Sequence, residues 1–400
     1  MAQEEKVTMV KRKSLMAIFI ICILMGVVVL YSWNRQTIDM LDSDSIDMIV
    51  FEKVSEINNS SFDVYHIKSS YGQSAYGVSS ADFNGDGLLD FVVSYATSPF
   101  NYSTVSLFFN KGNLTFKQQE LFSLNYSYIK DLIASDFDGD GDIDLVFSFD
   151  EYRWFDDLPY NMNGTLVLAW NNGNNDFLNL SLIYQWASED YMDSNRRINV
   201  QITSADYDAD GDIDIVVGDN SGRVELLLNQ GNGTFERIGL IQDFGWLSWG
   251  VASVDMNDDE RVDLLVAAAS NESEDMLQGF LYYIPNTGLS DCFQPENATV
   301  ISSVSFGLGT GCLVTTDIEQ DGIIDVIAGV DDRIFLFTKS NNTYVSRCLF
   351  EFSVTREGFF EDLSKGGMTV GDFNNDGYED FITGGVQGDI RLFLNTYQNS

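Results

Sequence analysis

Six segments of the sequence carry side-chain oxygens at alternating positions, a spacing that suits the enclosure of a metal ion. In each nine-residue segment the first, third, fifth and ninth positions are Asp, Asn or Glu, and the segments begin at Asp82, Asp136, Asp206, Asp255, Asp317 and Asp372. Calcium accepts six to eight oxygen ligands in a flexible geometry, magnesium requires a near-ideal octahedron, and the segments contain no His or Cys for zinc. The pattern therefore predicts six calcium sites.

The predicted ligands form two sets. Side-chain oxygens are expected from Asp82, Asn84, Asp86 and Asp90; Asp136, Asp138, Asp140 and Asp144; Asp206, Asp208, Asp210 and Asp214; Asp255, Asn257, Asp259 and Asp263; Asp317, Glu319, Asp321 and Asp325; and Asp372, Asn374, Asp376 and Asp380. A backbone carbonyl is expected from the seventh residue of each segment, namely Leu88, Asp142, Asp212, Arg261, Ile323 and Tyr378.

Two segments depart from this pattern. Glu260 replaces the glycine that otherwise occupies the sixth position, and a Glu resists the left-handed backbone that glycine permits. We therefore expect the site that begins at Asp255 to be the weakest or distorted. Glu319 replaces a shorter side chain at the third position, so its longer stem must fold back to reach the ion.

The opening of each segment resembles an EF-hand loop, but the twelfth position excludes that fold. An EF-hand places a bidentate Glu there and continues as a helix. The corresponding residues here lie in short apolar runs that predict strands: Val93, Phe147, Val217, Val266, Ala328 and Thr383. Each segment therefore joins two β-strands.

A longer unit repeats around these segments at intervals of roughly 50 to 70 residues. After each segment and its strand come another predicted strand, a turn and a fourth strand. The third strands are predicted at 105–110, 165–171, 224–229, 280–286, 334–338 and 390–395. Four strands per repeat predict an all-β protein, a β-propeller of four-stranded blades.

The ends of the repeat region bear on the number of blades. The last repeat stops after its third strand, and Asn58 to His66 resembles the missing outer strand, so we expect it to close the ring. This gives six blades. Seven remain the alternative, because Met48 to Glu52 could form an additional strand.

The motif that begins at Asp82 belongs to a recognisable class of repeats. Asp82-Phe83-Asn84-Gly85-Asp86-Gly87-Leu88-Leu89-Asp90 and its five relatives, with Phe244-Gly245 and Phe306-Gly307, closely resemble the FG-GAP or VCBS repeats of integrin α-subunit head domains. The resemblance covers roughly residues 50 to 400. It implies a calcium-binding β-propeller with the ions between the first and second strands of each blade.

The amino-terminal region has a different composition. Leu15 to Trp33 carries no charged residue and approaches the roughly 20 residues that cross a bilayer. Lys11, Arg12 and Lys13 precede it, so the positive-inside rule keeps the amino terminus in the cytoplasm. The predicted organisation is a cytoplasmic tail at 1–14, a transmembrane signal anchor at 15–33, an acidic linker at 34–47 and an extracellular propeller at 48–400. A cleaved signal peptide is the alternative.

The remaining composition agrees with an extracellular location. Extracellular calcium suits loop modules of low affinity, and Asn-x-Ser/Thr sequons, for example at Asn101 and Asn163, predict a glycoprotein. Cys292, Cys312 and Cys348 lie outside the predicted span and allow at most one disulfide. The net charge of −39 argues against nucleic acid as a partner, because phosphates would be repelled.

The predicted ligand surface lies on the face opposite the calcium loops. The longest insertions, at 150–163, 188–197, 244–249 and 353–366, are expected in the connections of that face. They are rich in aromatic side chains, which bury area at low entropic cost. The candidate ligand-binding residues are Trp154, Phe155, Tyr160, Tyr191, Arg196, Trp249 and Phe359.

Catalysis finds little support in the residue inventory. His66 is the sole histidine and falls in the predicted closing strand, which argues against Ser-His and Cys-His chemistry. We therefore predict no catalytic residue and favour a cell-surface calcium-binding module for adhesion to glycan or protein ligands. One alternative is a calcium-dependent polysaccharide lyase, whose Lys, Arg or Tyr would act on an acidic sugar. The other is a scaffold for an envelope complex.

Overall fold

The computed structural model describes residues 47–50, 52–53, 61–68, 74–96, 102–125, 127–155, 158–177, 179–187, 200–219, 221–244, 248–270, 278–289, 292–304, 310–330, 333–340, 343–351, 367–385 and 389–396. All of them lie in the unit Asp39–Ser400. The predicted anchor at 15–33 lies outside the described residues. Within them, no helix is long and apolar enough to traverse a bilayer.

The described chain is built almost entirely of antiparallel β-strands. These are β1 (Asp47–Val50), β2 (Glu52–Lys53), β3 (Phe62–Lys68), β4 (Ser74–Ala81), β5 (Asp90–Ala96), β6 (Tyr102–Asn110), β7 (Thr115–Asn125), β8 (Ser127–Ser135), β9 (Asp144–Phe155), β10 (Leu158–Trp170), β11 (Asn179–Ala187), β12 (Gln201–Ala205), β13 (Asp214–Gly218), β14 (Arg223–Asn229), β15 (Phe235–Asp243), β16 (Ser248–Val254), β17 (Asp263–Ser270), β18 (Gln278–Ile284), β19 (Thr299–Val304), β20 (Thr310–Thr316), β21 (Asp325–Val330), β22 (Arg333–Ser340), β23 (Thr343–Glu351), β24 (Met368–Gly371), β25 (Asp380–Gly384) and β26 (Asp389–Asn395). A 3-10 turn at Pro295–Asn297 precedes β19.

The strands form six sheets, which are the six predicted blades. Blades 1 to 5 consist of consecutive strands, β4–β7, β8–β11, β12–β15, β16–β19 and β20–β23. In each blade the first strand contacts the first strand of a neighbouring blade, so the first strands surround the centre of the ring. The fold is therefore a six-bladed propeller of four-stranded blades.

Blade 6 joins the two ends of the described chain. Its strands are β24, β25, β26 and β3, and β3 pairs with β26 from Asp389 opposite Lys68 to Asn395 opposite Phe62. Phe62 is buried and packs against Phe350 and Phe381, with ring centroids 6.0 and 5.4 Å away. The prediction that residues 58–66 close the ring is thus confirmed for the described residues.

Met48 to Glu52, the segment for which a seventh blade was the alternative, does not form another blade. Instead, β1 pairs with β7 at the outer edge of blade 1, and β2 pairs with β3 at the outer edge of blade 6. Because strand edges offer unpaired backbone groups, this segment covers the outer edges of two blades. The outer strands β11, β15, β19 and β23 have no fifth strand among the described residues.

The core lies between adjacent blades. The second strands are short runs of β-branched and aromatic residues, and every residue of β5 is buried. Phe91 of β5 stacks on Phe108 of β6 with centroids 4.6 Å apart, and Phe373 of blade 6 packs edge-on against Phe91 at 6.3 Å. Burial of such rings between sheets is what a blade lacks on its own.

One predicted loop proves to be regular structure. Residues 150–163 were expected to form a surface insertion, but β9 and β10 extend through this region as a hairpin whose connection is residues 156–157. The register places Trp154 opposite Pro159 and Phe155 opposite Leu158, with an irregularity between Asn161 and Gly164. The hairpin forms because the segment is rich in aromatic residues, which favour strands.

Candidate metal-binding loops

Each predicted metal segment connects the first strand of a blade to the second. We name them loop 1 (82–90), loop 2 (136–144), loop 3 (206–214), loop 4 (255–263), loop 5 (317–325) and loop 6 (372–380). Because the first-to-second connection has the same place in every blade, the six loops lie on one face of the propeller. The sequence prediction of a strand–loop–strand unit is confirmed.

The first residue of each loop organises the turn. In loop 1, the Asp82 carboxylate accepts hydrogen bonds from the backbone N–H groups of Asp86 (3.2 Å) and Gly87 (2.8 Å). The fifth and sixth residues of all other loops make the same pair of bonds, including Asp259 and Glu260 in loop 4. These bonds fold the loop back on itself and gather its side-chain oxygens.

Two left-handed residues make this turn possible. The sixth residue has a positive φ in all loops, and Glu260, with φ 66°, adopts the same region as Gly87, with φ 82°. The fourth residue also has a positive φ in all loops, which the sequence analysis missed, because only two of the six are glycine: Gly85, Gly139, Ala209, Asp258, Gln320 and Asn375. Non-glycine residues pay a steric penalty there.

The donors of loops 2 and 3 fit a hard cation best. One carboxylate oxygen from each of Asp136, Asp138 and Asp144 lies within 4.8 Å of the others, and Asp206, Asp208 and Asp210 form a similar group. All donors are oxygen, and the first, third, fifth, seventh and ninth residues of both loops are Asp. Such a set suits the oxygen-rich shells of hard divalent cations and not a soft metal.

The Asp at the ninth position of a loop, which is predicted to bind the metal ion, also accepts hydrogen bonds from backbone N–H groups. Asp90 is fully buried; its Oδ1 accepts the Asn110 N–H at 2.7 Å and its Oδ2 accepts the Phe83 N–H at 3.1 Å. Asp144, Asp214, Asp263 and Asp380 make the same two kinds of bond. The residue that could close the ion shell thus also fixes the loop to the third strand.

Burial of these carboxylates changes their protonation. Loss of solvating water raises the pKa of Asp90 and Asp214 to about 7, of Asp144 to about 6 and of Asp380 to about 8, and the neighbouring loop carboxylates add to the shift. A nearby cation would reverse this by favouring the ionised form. A cation bound there would therefore compete with the proton for the same group.

An asparagine at the end of the third strand joins neighbouring loops. The Asn110 amide donates to the carbonyl of Phe373, the second residue of loop 6, at 2.9 Å. Three further bonds of this kind link other pairs of blades at 2.8 Å: Asn229 to Phe137, Asn286 to Tyr207 and Asn395 to Ile318. Sequence reasoning missed these residues, which it had used only as strand and turn markers.

Within the described residues, two pairs of neighbouring loops are not joined by such an asparagine hydrogen bond. In blade 2, Asn171 donates its amide to Ile143 of its own blade and makes no recorded bond to loop 1. In blade 5, Phe337 pairs with Val326 as Phe108 pairs with Phe91, so Lys339 stands where blade 1 has Asn110. The loops therefore fall into two linked groups, loops 2, 3 and 4 and loops 1, 6 and 5.

Loop 5 contains a buried oxygen that lacks a protein partner. Asp325 is 2 % exposed, and its Oδ2 accepts no hydrogen bond within the described residues. Burial raises the pKa of Asp325 to about 7, and the carboxylates of Glu319 and Asp321 add to the shift. An unsatisfied buried carboxylate oxygen beside other acids is what a bound cation would satisfy. The Glu319 carboxylate, however, pairs with Arg347 at 2.8 Å.

Loop 4 differs from the other loops because it contains a positively charged side chain. The Arg261 guanidinium pairs with Asp259 of the same loop. The amide of Asn257 donates to the Tyr283 hydroxyl at 2.9 Å, and that hydroxyl donates to Asp263 at 2.8 Å. The ion pair of Asp259 with Arg261 thus gives a physical reason for the expected weakness of this site, in addition to the strain at Glu260.

The predicted ligand face is described only in part. Trp154 and Phe155 lie in β9, Tyr160 in β10 and Trp249 in β16. Tyr191, Arg196 and Phe359 lie outside the described residues. No disulfide joins the described cysteines Cys292, Cys312 and Cys348.

Comparison with known proteins agrees with the repeat architecture. Residues 82–147 and 206–266, which contain loops 1 to 4, match the family model of the FG-GAP-like repeat. No match to a curated protein was found.

One solved structure resembles the chain in fold with a TM-score above 0.5. A glucose dehydrogenase is 11% identical, with 82% of this chain and 98% of that chain covered and a TM-score of 0.51. A lectin of Agrocybe aegerita that recognises non-reducing terminal N-acetylglucosamine is 14% identical, with 73% and 81% covered and a TM-score of 0.39. A rhamnogalacturonan lyase of Bacillus licheniformis is 14% identical, with 90% and 75% covered and a TM-score of 0.44. The chain is therefore a six-bladed β-propeller that contains FG-GAP-like repeats at residues 82–147 and 206–266.

Proposed function

We propose that this protein is a calcium-binding propeller, anchored at the cell surface by residues 15–33, that acts as a binding or adhesion module for glycan or protein ligands. The observation that carries the calcium assignment is the arrangement of loops 2 and 3. In each, three carboxylates converge within 4.8 Å around a turn already folded by backbone hydrogen bonds. Like charges at that distance repel unless a cation or protons lie between them.

Calcium in this proposal is structural. It neutralises the loops, which hold the densest acidic clusters of a chain with a net charge of −39, and it fixes the first strand of each blade to the second. The ninth carboxylates transmit this order to the third strands through the bonds to residues such as Asn110 and Asn229. Direct coordination of the ligand by calcium is not part of the proposal, because the loop oxygens would already surround each ion.

The ligand would bind on the opposite face. Trp154 and Phe155 lie at the end of β9, which starts at loop 2, so the strand carries them away from the calcium loops. Aromatic residues at that end of the blade would suit the apolar face of a sugar ring or a protein anchor. The residues Tyr160 and Trp249 belong to the same proposed surface.

Two measurements test this function. Elemental analysis and calorimetric titration of the full chain should find several calcium ions, and a chelator should lower the melting temperature. Screening against glycans and surface proteins should then give a ligand whose retention falls with Trp154→Ala and Phe155→Ala while the melting temperature is unchanged. A chain without metal, with the same melting temperature in chelator, would overturn the calcium assignment; a ligand retained by both variants would overturn the assigned face.

A further inference from the structure

The first strands of all six blades enclose a central cavity of about 330 Å³. Its walls come from β4, β8, β12, β16, β20 and β24. A single water molecule requires only roughly 10–15 Å³ of such space. The cavity is therefore large enough to hold a hydrated ion or a small molecule, and it is separate from the six metal loops.

The lining combines aliphatic side chains with hydroxyl groups. Many of the hydroxyls bond to one another or to backbone across blades, as between Thr203 and Ser253 at 2.7 Å and from Thr315 to the Ser253 carbonyl at 3.2 Å. Among the described residues, no Lys, Arg or His lines the cavity, and the ionisable side chains that do are Asp131 and Cys312. The lining thus offers oxygen donors with a single carboxylate and no positive charge.

Asp131 is unusual for its place in the ring. In blade 2, Leu132 pairs with Phe147, the fourth residue of the second strand, and Asp131 immediately precedes Leu132. The residues at the equivalent position of the six first strands are Gly77, Asp131, Gln201, Gly250, Cys312 and Gly367. Five of these are uncharged at neutral pH or have no side chain. A charge at this one position has no counterpart in the other repeats, so the repeat architecture does not require it.

The Asp131 carboxylate bridges two blades, and it has no basic partner among the described residues. Its Oδ1 accepts the Leu132 N–H and its Oδ2 accepts the Ile202 N–H of blade 3, both at 2.9 Å. The adjacent Lys130 pairs instead with Asp150 at 3.5 Å, and no ion pair to Asp131 occurs in the part of the chain described. Each carboxylate oxygen still has a second lone pair for another donor or a cation.

An unpaired charge in such a place is costly. Burial raises the pKa of Asp131 to about 7, and the two backbone N–H bonds only partly oppose this. The side chain is only partly buried and faces the cavity, where a proton or a cation would compensate the carboxylate. A divalent ion is normally held by several carboxylates, whereas hydroxyl and carbonyl oxygens with one carboxylate match a monovalent ion.

We propose that the central cavity binds one monovalent cation, either an alkali-metal ion or a primary ammonium group, beside Asp131. Water in the cavity and hydroxyl groups of its lining supply the remaining ligands. The net charge of −39 attracts cations to the cavity and repels anions from it. This site is independent of the calcium function proposed above, since Asp131 belongs to none of the metal loops.

Titration of the full chain in excess calcium tests the proposal. Potassium or methylammonium chloride replaces tetramethylammonium chloride at constant ionic strength, and the melting temperature is recorded; ²⁰⁵Tl⁺ NMR counts bound ions as a potassium substitute. A saturable rise with one ion per chain is expected. Asp131→Asn should weaken this binding at least tenfold. The matched control Asp243→Asn, at an exposed carboxylate on β15, should leave it unchanged.

A second measurement needs no variant and serves if Asp131→Asn does not fold. In the unmodified chain, potassium should raise the melting temperature less at pH 6 than at pH 8, because the proton occupies Asp131. A response to methylammonium alone identifies the ammonium form, and one to potassium alone identifies the alkali ion. Absence of saturable binding, equal binding by Asp131→Asn, or saturable stabilisation by neutral glycerol in place of cations would overturn the proposal.

Discussion

The side-chain amide of Asn229 in blade 3 donates a hydrogen bond to the backbone carbonyl of Phe137 in loop 2, with a donor–acceptor distance of 2.8 Å. The N–H of Phe137 in turn donates to Asp144 of loop 2, and the N–H of Asn229 donates to Asp214 of loop 3. A continuous path of buried bonds therefore connects the ninth carboxylates of two neighbouring loops. Such polar networks bind their members into one structural unit when every group is satisfied.

Loss of this link should destabilise the propeller. Asn229→Ala leaves the buried carbonyl of Phe137 without its donor, which typically costs about 1–3 kcal/mol, and urea unfolding measures the change. The matched control is Lys339→Ala, at the same position of blade 5, where the residue is exposed and the expected change is within about 0.5 kcal/mol. Equal effects of the two substitutions would show that the amide link carries no stability.

Removal of a single predicted ligand should affect loops unequally. Asp138→Ala takes a carboxylate from the convergent group of loop 2, so calorimetry should show one fewer tight ion and a lower melting temperature in calcium. Asn257→Ala, at the same position of loop 4, should change the ion count little, since the Arg261 guanidinium already pairs with Asp259 in that loop and weakens its site. Loss of an ion with Asn257→Ala and none with Asp138→Ala would reverse this ranking of the loops.

Loop 4 should gain affinity when its internal cation is removed. Arg261→Leu copies the residue at the seventh position of loop 1, Leu88, and frees Asp259 from its ion pair. A gain of at least tenfold in calcium affinity at one site is expected, because a positive charge beside the ion is lost, and titration calorimetry measures it. Leu88→Ala in loop 1 controls for the change in side-chain size, and unchanged affinity with Arg261→Leu would count against the explanation.

The stability of the calcium-free protein should fall as pH rises. The folded pKa of Asp90, Asp214 and Asp380 lies at about 7 to 8, above the unfolded value of about 3.9. The folded state therefore binds more protons than the unfolded state between those values. The stabilisation from these groups is complete below about pH 4 and is lost as pH rises through about 7 to 8.

Urea unfolding in chelator at pH 5, 6, 7 and 8 measures this slope. Calcium should remove the decline, because it replaces the protons, and binding at pH 7 should release protons detectable by pH-stat titration. Unfolding free energies in chelator that rise from pH 5 to pH 8 would contradict the expected sign.

The sequence predicted the blades and loops because their signals are local. Alternating acids at Asp136, Asp138 and Asp140 and the apolar run that follows each loop are visible within one repeat. The positive φ of Ala209 was missed, because neither an alanine nor the neighbouring pattern signals it. The hairpin at 150–163 was mistaken for a loop, because it is one of the longest insertions between the repeating strands.

The links between repeats could not be predicted in this way. Asn229 and Phe137 are far apart in the chain, and their contact depends on the angle between two blades. The same holds for Asp131, whose sequence context is an ordinary inner strand but whose partner, Ile202, belongs to the next blade. Contacts between different blades form only in the assembled ring, so the sequence of a single repeat does not indicate them.

The pairing of β3 with β26 has a consequence for biosynthesis. The ribosome delivers β3 hundreds of residues before its partner, so the nascent polypeptide carries an unmatched edge, with Phe62 and Val64 exposed, until β26 emerges. A translation product halted before Asp389 cannot bury them. The closing strand pair therefore distinguishes finished from truncated molecules, and a chaperone that recognises extended apolar segments would retain only the truncated ones.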